Sequence, residues 1–158
     1  RTFEKIPTAL YDEYVSEKRI EWGRQPWRID FRSNGLMELE TQLTKIEWIR
    51  IVSNLVQNSV EAANPRGVKI EIEMREWEDH YEMSVRDDGV GIDPRNMERV
   101  WDFGHTEKSE GRGIGLYTVR ELIESVQGKV SIVSQPGQGT VVRLEVPGRP
   151  IPENSIQS

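Results

Sequence analysis

The 158-residue chain contains no cysteine, which excludes both a disulfide scaffold and a thiolate metal site. It lacks any apolar run approaching the length of a membrane span, and no signal peptide is visible. Basic charge is in deficit: the formal net charge is −6, which argues against a nucleic-acid-binding surface. At this length the chain reads as one domain, or a domain with short extensions. A chain of this size buries about 70% of its unfolded surface, enough for a proper core. The first residue is Arg1 rather than Met. The chain therefore reads as a fragment, and a membrane-spanning or sensing part could lie upstream.

What the chain does have is organised around Thr44–Asn64, TKIEWIRIVSNLVQNSVEAAN. Ile46, Ile49, Val52, Leu55, Val56 and Val60 recur close to a 3.6 period, which predicts a helix. Pro65 ends the pattern, and Asn64 before it is biased away from helical angles. Asn54 and Asn58 share one face, with Glu61 a turn further on. Amides are neutral to unfavourable in mid-helix. Two on one face suit either water or a polar ligand.

Upstream, Ile6, Leu10 and Tyr14 lie at helical spacing, and a short amphipathic helix over 8–22 is expected. It could be a terminal helix packed on the domain or the tail of a preceding dimerisation helix. Gly23–Pro26 is a turn or linker signal. Residues 1–26 are thus set apart from a domain over 27–147. Trp27–Ser33 and Leu36–Gln42 read as short strands around Asn34-Gly35, a strong hairpin signal. Gly67–Arg75 and Tyr81–Val85 alternate as half-buried strands, joined by the loop Glu76–His80. Asp93–Glu110 is polar and weakly periodic, as a lid loop would be, with one helical turn possible from Pro94. Gly115–Gln127 predicts a second helix, with Gly128 suited to its C′ position. Lys129–Gln135 and Thr140–Pro147 form a closing hairpin, and 148–158 reads as a loosely ordered tail. The architecture expected is α+β: a two-layer sandwich of a mixed, mainly antiparallel sheet with helices on one face.

Three glycine motifs follow the first helix: DDGVGI from Asp87, GRGIGL from Gly111 and GQGT from Gly137. Each alone is weak. Together, in this order, the motifs resemble those of the ATP-binding catalytic domain of sensor histidine kinases, a branch of the superfamily that includes gyrase, the heat-shock chaperone and MutL-type ATPases. NLVQNSVEAA resembles that family's N box, DDGVG its D-x-G-x-G box and GRGIGL its G-x-G-x-G-L box. GQGTVVRLEVP resembles its closing strand. The resemblance covers roughly Trp27 to Pro147, and the EAA ending is similar to the nitrogen-regulation and dicarboxylate-sensing group.

The resemblance implies a Bergerat-type fold that binds ATP and Mg²⁺ between the helical layer and the lid. Asn58 would be the metal ligand and Asn54 would support metal or phosphate. Hydrolysing relatives commonly place a glutamate base at the position of Asn54, and an amide cannot take a proton. That favours transfer to another acceptor over hydrolysis. Asp87 would accept from the adenine amino group. Gly89 and Gly91, followed by Ile92, permit positive φ and a close approach of backbone to base or phosphate. Gly111, Gly113 and Gly115, with Ile114 and Leu116, would present helix N-terminal amides to phosphate. Thr106 and Lys108 match a lid pattern in which Lys108 pairs with the terminal phosphates, as Arg112 could too; a solvated lid charge is the alternative for either cation. Glu61 is either functional or a solvated charge. Thr140 would reach the adenine side, or be a plain strand threonine. His80 and His105 lack acceptor context, so the phospho-acceptor histidine belongs to an upstream or separate dimerisation domain. A response regulator is an indirect partner. No nucleic acid and no direct membrane contact are expected, and the location implied is cytoplasmic, with a parent protein that could be membrane-anchored. An ATP-hydrolysing relative and a non-catalytic nucleotide-sensing module are the rival readings.

Overall fold

The computed structural model describes residues 1–5, 27–33, 39–102 and 115–152. Among these, seven strands form one sheet. They are β1 (Glu4–Lys5), β2 (Trp27–Ser33), β3 (Leu39–Thr41), β4 (Val68–Glu76), β5 (His80–Asp87), β6 (Lys129–Gln135) and β7 (Gly139–Pro150). The helices are α1 (Lys45–Glu61) and α2 (Gly115–Ser125), with a 3₁₀ helix at Pro94–Arg99. The strand order is β1-β3-β7-β5-β4-β2, and β6 also pairs with β7. β2 and β4 run parallel, and the other pairs are antiparallel. The expected α+β sandwich is therefore present. No described helix is long and apolar enough to cross a membrane.

α1 starts where its capping chemistry dictates. The Thr44 side chain accepts from the Glu47 amide, and the Glu47 carboxylate accepts from the Thr44 amide. Arg1 pairs with that same carboxylate. The inward face of α1 is Trp48, Ile51, Val52, Leu55, Val56 and Ser59, whereas Ile46 is 69% exposed. The expected apolar stripe is thus rotated: Trp48 lies in the core and Ile46 does not.

The period-2 strands behave as their alternation demands. Val68, Ile70, Ile72 and Met74 of β4 face the helices, as do Tyr81, Met83 and Val85 of β5 and Val142, Leu144 and Val146 of β7. The other face carries charged side chains, including the ion pairs Lys69–Glu71 and Arg75–Glu73.

The hairpin expected at Asn34-Gly35 does not form. β2 pairs with β4 on one flank, and β3 pairs with β7 on the other, with β7, β5 and β4 between them. A turn signal is local, but the partner of each strand is set by burial. Ile29 of β2 and Leu39 of β3 are both nearly inaccessible, and each finds apolar cover on its own side of the sheet. Of the strand expected over Leu36–Gln42, Leu39–Thr41 forms β3 and Gln42 lies past its end, while 36–38 fall outside the described residues. β7 extends beyond Pro147, because Gly148–Pro150 pair with β3. α2 ends at Ser125, and the left-handed residue after it is Gln127 (φ 59°), not Gly128. Gly128 instead lies against the Glu145 carbonyl, where a Cβ would not fit.

The short strand β3 is fixed by one buried hydroxyl. Tyr81 Oη accepts from the Leu39 amide at 3.1 Å and donates to the Leu39 carbonyl at 3.2 Å. Tyr81→Phe keeps the ring and strands both backbone groups. It should cost about 1–3 kcal/mol in urea denaturation. An unchanged denaturation midpoint would mean that β3 is held by its ladder alone.

Candidate active site

The inward rows of the sheet are apolar until the last one. There Ser134 of β6 pairs with Thr140 of β7, which pairs with Asp87 of β5, which pairs with Ile70 of β4. A hydroxyl, a hydroxyl and a carboxylate thus line up beneath the C-terminal half of α1. Thr140 is 9% exposed and Asp87 is 6% exposed.

Asp87 is held on both oxygens. Oδ1 accepts from the Gly89 amide at 2.9 Å, and Oδ2 accepts from Ser59 Oγ at 2.9 Å. Burial pushes the Asp87 carboxyl above its ordinary pKa; the Gly89 amide, the Ser59 hydroxyl and the Thr140 amide resist the shift, and the Asp88 charge adds to it. Asp88 itself accepts from the Lys69 amide at 2.7 Å, which locks the start of β4 to the end of β5.

Ser134 Oγ accepts from the Ile92 amide at 2.8 Å and donates to the Gly139 carbonyl at 2.9 Å. The Thr140 hydroxyl lies 2.8 Å from it. With the Ser134 proton on the carbonyl, Thr140 donates to Ser134 and keeps its own lone pairs for a ligand.

The glycines of the D-x-G-x-G motif serve close packing of backbone on backbone. A Cβ at Gly89 would strike the carbonyl of Ala62, just past the end of α1. The neighbouring Val90 amide donates to that same carbonyl at 2.8 Å. Gly91 has φ +75°, and a Cβ there would strike the Gln135 carbonyl. Gly91 therefore takes the expected positive φ, and Gly89 does not.

Above this floor α1 presents Asn54 and Asn58, both half-buried. The first residue of α2 lies against them: a Cβ at Gly115 would stand 3.6 Å from Asn58 Oδ1 and 3.8 Å from Asn54 Cβ. The N box and the start of the second helix thus meet, and Leu116 packs on the core beside them. Glu61 accepts from Gln57 at 3.3 Å along its own helix. His80 sits at the opposite end of β5 from Asp87, between Asp79 and Glu145. Thr106, Lys108, Gly111, Arg112, Gly113 and Ile114 lie outside the described residues, as do His105 and the part of the expected lid over 103–110; its first part, 93–102, is described and carries the 3₁₀ helix.

Two residues of this site were given no role by the motifs, although Ser59 lies within the N-box stretch. Ser59 and Ser134 each occupy an inward position, Ser59 in phase with Val52, Leu55 and Val56, and Ser134 in phase with Val130 and Ile132. A polar residue in a core phase is itself a signal, since burial is costly without a partner.

A two-layer sandwich with a buried strand-end carboxylate under an amide-bearing helix has the frame of a nucleotide-binding domain. The family model described as "Histidine kinase-, DNA gyrase B-, and HSP90-like ATPase" matches residues 44–150, and the chain belongs to this family. Among curated proteins, the signal transduction histidine-protein kinase AtoS of Escherichia coli (strain K12) is 33% identical over 129 residues, covering 78% of this chain and 20% of that protein. The probable C4-dicarboxylate sensor kinase of Bacillus subtilis (strain 168) is 29% identical over 119 residues, 73% of this chain and 22% of that protein. Sensor histidine kinases are thus its relatives, a dicarboxylate sensor among them. The chain spans about a fifth of the length of these two relatives. The solved catalytic domain of histidine kinase ThkA shares the fold, with a TM-score of 0.79 at 24% identity, covering 95% of this chain and 98% of that one.

Proposed function

We propose that this chain is the ATP-binding catalytic domain of a two-component sensor histidine kinase. It would pass the γ-phosphoryl group of ATP to an imidazole nitrogen on an upstream or separate helical domain and release ADP. A response regulator would take the group onward, and use of ATP fits a cytoplasmic setting. The observation that carries this reading is the amide pair Asn54 and Asn58, set against the start of α2. It supplies oxygen ligands but, at Asn54, no base to activate water.

Asp87 would orient adenine by accepting from its amino group, with the Thr140 hydroxyl beside it. The amide oxygens of Asn58 and Asn54 fit Mg²⁺, which takes few protein ligands and completes its shell with water and phosphate oxygens. Among the described residues no group of three or more His, Cys, Asp or Glu side chains is placed to hold a metal. Bound Mg²⁺ would neutralise phosphate charge. Lys108 and Arg112 are proposed to add positive charge from the lid, and the amides of Gly111, Gly113 and Gly115 to cradle the phosphates. His80 and His105 are not the acceptors.

Labelled ATP supplied with and without the cognate helical domain tests this. Alone, the chain should bind ATP and stay unlabelled. With the acceptor domain, label should appear on a histidine there, stable to base and labile to acid. Asn58→Ala should abolish the Mg²⁺-dependent gain in nucleotide affinity, yet bind like the parent in excess EDTA. Brisk phosphate release to water without transfer would place the domain with hydrolysing relatives instead.

A further inference from the structure

We propose that Ser59 is a positioning residue that makes this site select adenine over guanine, by holding Asp87 as a pure hydrogen-bond acceptor. The inference rests on the adenine reading above.

Ser59 is 3% exposed and Asp87 is 6% exposed, so neither can exchange its partner for bulk water. Both carboxylate oxygens face a donor: the Gly89 amide at Oδ1 and the Ser59 hydroxyl at Oδ2, each at 2.9 Å. A carboxyl proton on Oδ1 would oppose the amide hydrogen, which cannot turn away. Oδ2 is different, because its partner is a hydroxyl on a rotatable bond. Ser59 therefore bears directly on whether Oδ2 can carry a proton.

The surroundings of Asp87 make that decision matter. Burial and the Asp88 charge push the group towards its neutral form, and the Gly89 and Thr140 amides push back. Among the described residues Asp88 is the charged group acting on it, and its register neighbour on β4 is the apolar Ile70. An ionised Asp87 can only accept, which matches the amino group at position 6 of adenine. A neutral Asp87 protonated at Oδ2 would donate, which matches the carbonyl at position 6 of guanine. The Ser59 hydroxyl, donating to Oδ2, keeps the first state.

Non-hydrolysable analogues of ATP and GTP, titrated calorimetrically from mildly acid to mildly alkaline pH, test this. The parent should prefer the adenine nucleotide throughout. Ser59→Ala should lose roughly tenfold of that preference. Its loss of ATP affinity on acidification should begin at higher pH than in the parent, with the guanine nucleotide gaining there. Ser59→Thr, which retains the hydroxyl, should restore the parent's profile. Ser59→Cys, of similar size with a weak donor, carries the same comparison if Ser59→Ala does not fold. A purely structural serine would lower the melting temperature and leave selectivity and pH profile superimposable on the parent's, and that result overturns the proposal. Asp87→Asn run alongside separates the two claims. If it leaves ATP affinity intact, the adenine reading falls; if it abolishes binding while the Ser59 variants match the parent, only the role of Ser59 falls.

Discussion

Asp87→Asn should lower ATP affinity by roughly 30- to 150-fold, on the order of 2–3 kcal/mol, without unfolding the domain. The substituted amide must place its oxygen opposite the Gly89 amide, since the alternative sets donor against donor. Its NH₂ then takes the position of Oδ2, where the Ser59 hydroxyl can rotate to accept. That NH₂ meets the adenine amino group as a second donor. Stability should move the other way. The Asp87 carboxyl is raised by burial, so the folded state holds its proton to higher pH than the unfolded chain does. Such a group contributes stability below its unfolded pKa and loses it as pH rises through the folded value. At neutral pH the parent carries that penalty and the neutral variant does not. The melting temperature of nucleotide-free Asp87→Asn should therefore equal or exceed the parent's. Unchanged ATP affinity in calorimetry would remove Asp87 from the site.

Gly139→Ala should be among the most damaging single-methyl additions at the described glycines. Gly139 has φ +81°, and a Cβ there would strike the carbonyl of Asp87 and approach Asp88 Cα to 3.0 Å. The left-handed conformation costs about 1–2 kcal/mol, and forcing backbone apart adds about 1–3 kcal/mol. Moving β7 away would also drag Thr140 from its register with Asp87. Gly137 separates the two effects. It has φ +77°, but a Cβ there meets nothing within 4 Å. Gly137→Ala should thus show the conformational cost alone. Urea denaturation of both variants, with ATP titration of each, reads the difference. Equal destabilisation would mean that the strand end gives way without strain.

Much of this was legible in the chain, for identifiable reasons. α1 announced itself through its 3.6 period, and β4 and β5 through strict alternation. The motif order pointed to Asp87, Asn54 and Asn58, which the fold gathers from a strand end and a helix. Three things were hidden. The partners of β2 and β3 depend on which flank offers apolar cover, which a local turn signal in the sequence does not report. Ile46 and Trp48 exchange places because an apolar stripe gives a helix its phase only to within a residue or two. Ser59 and Ser134 look like ordinary polar residues until the strand and helix phases place them inward, across 28 residues from Asp87 in the case of Ser59.

The place of β7 in the sheet bears on how such a chain comes off the ribosome. It is the last strand in sequence and lies in the middle of the sheet, between β3 and β5. Until Gly139–Pro150 emerges, β3 has no path to β5, and the edge of β5 that β7 will cover stays unpaired. Such long-range pairing is slow and leaves strand edges open to other chains. A nascent chain halted before Gly139 would therefore hold two half-sheets with no bridge between them, and its Asp87 would lack the Thr140 neighbour that completes the floor.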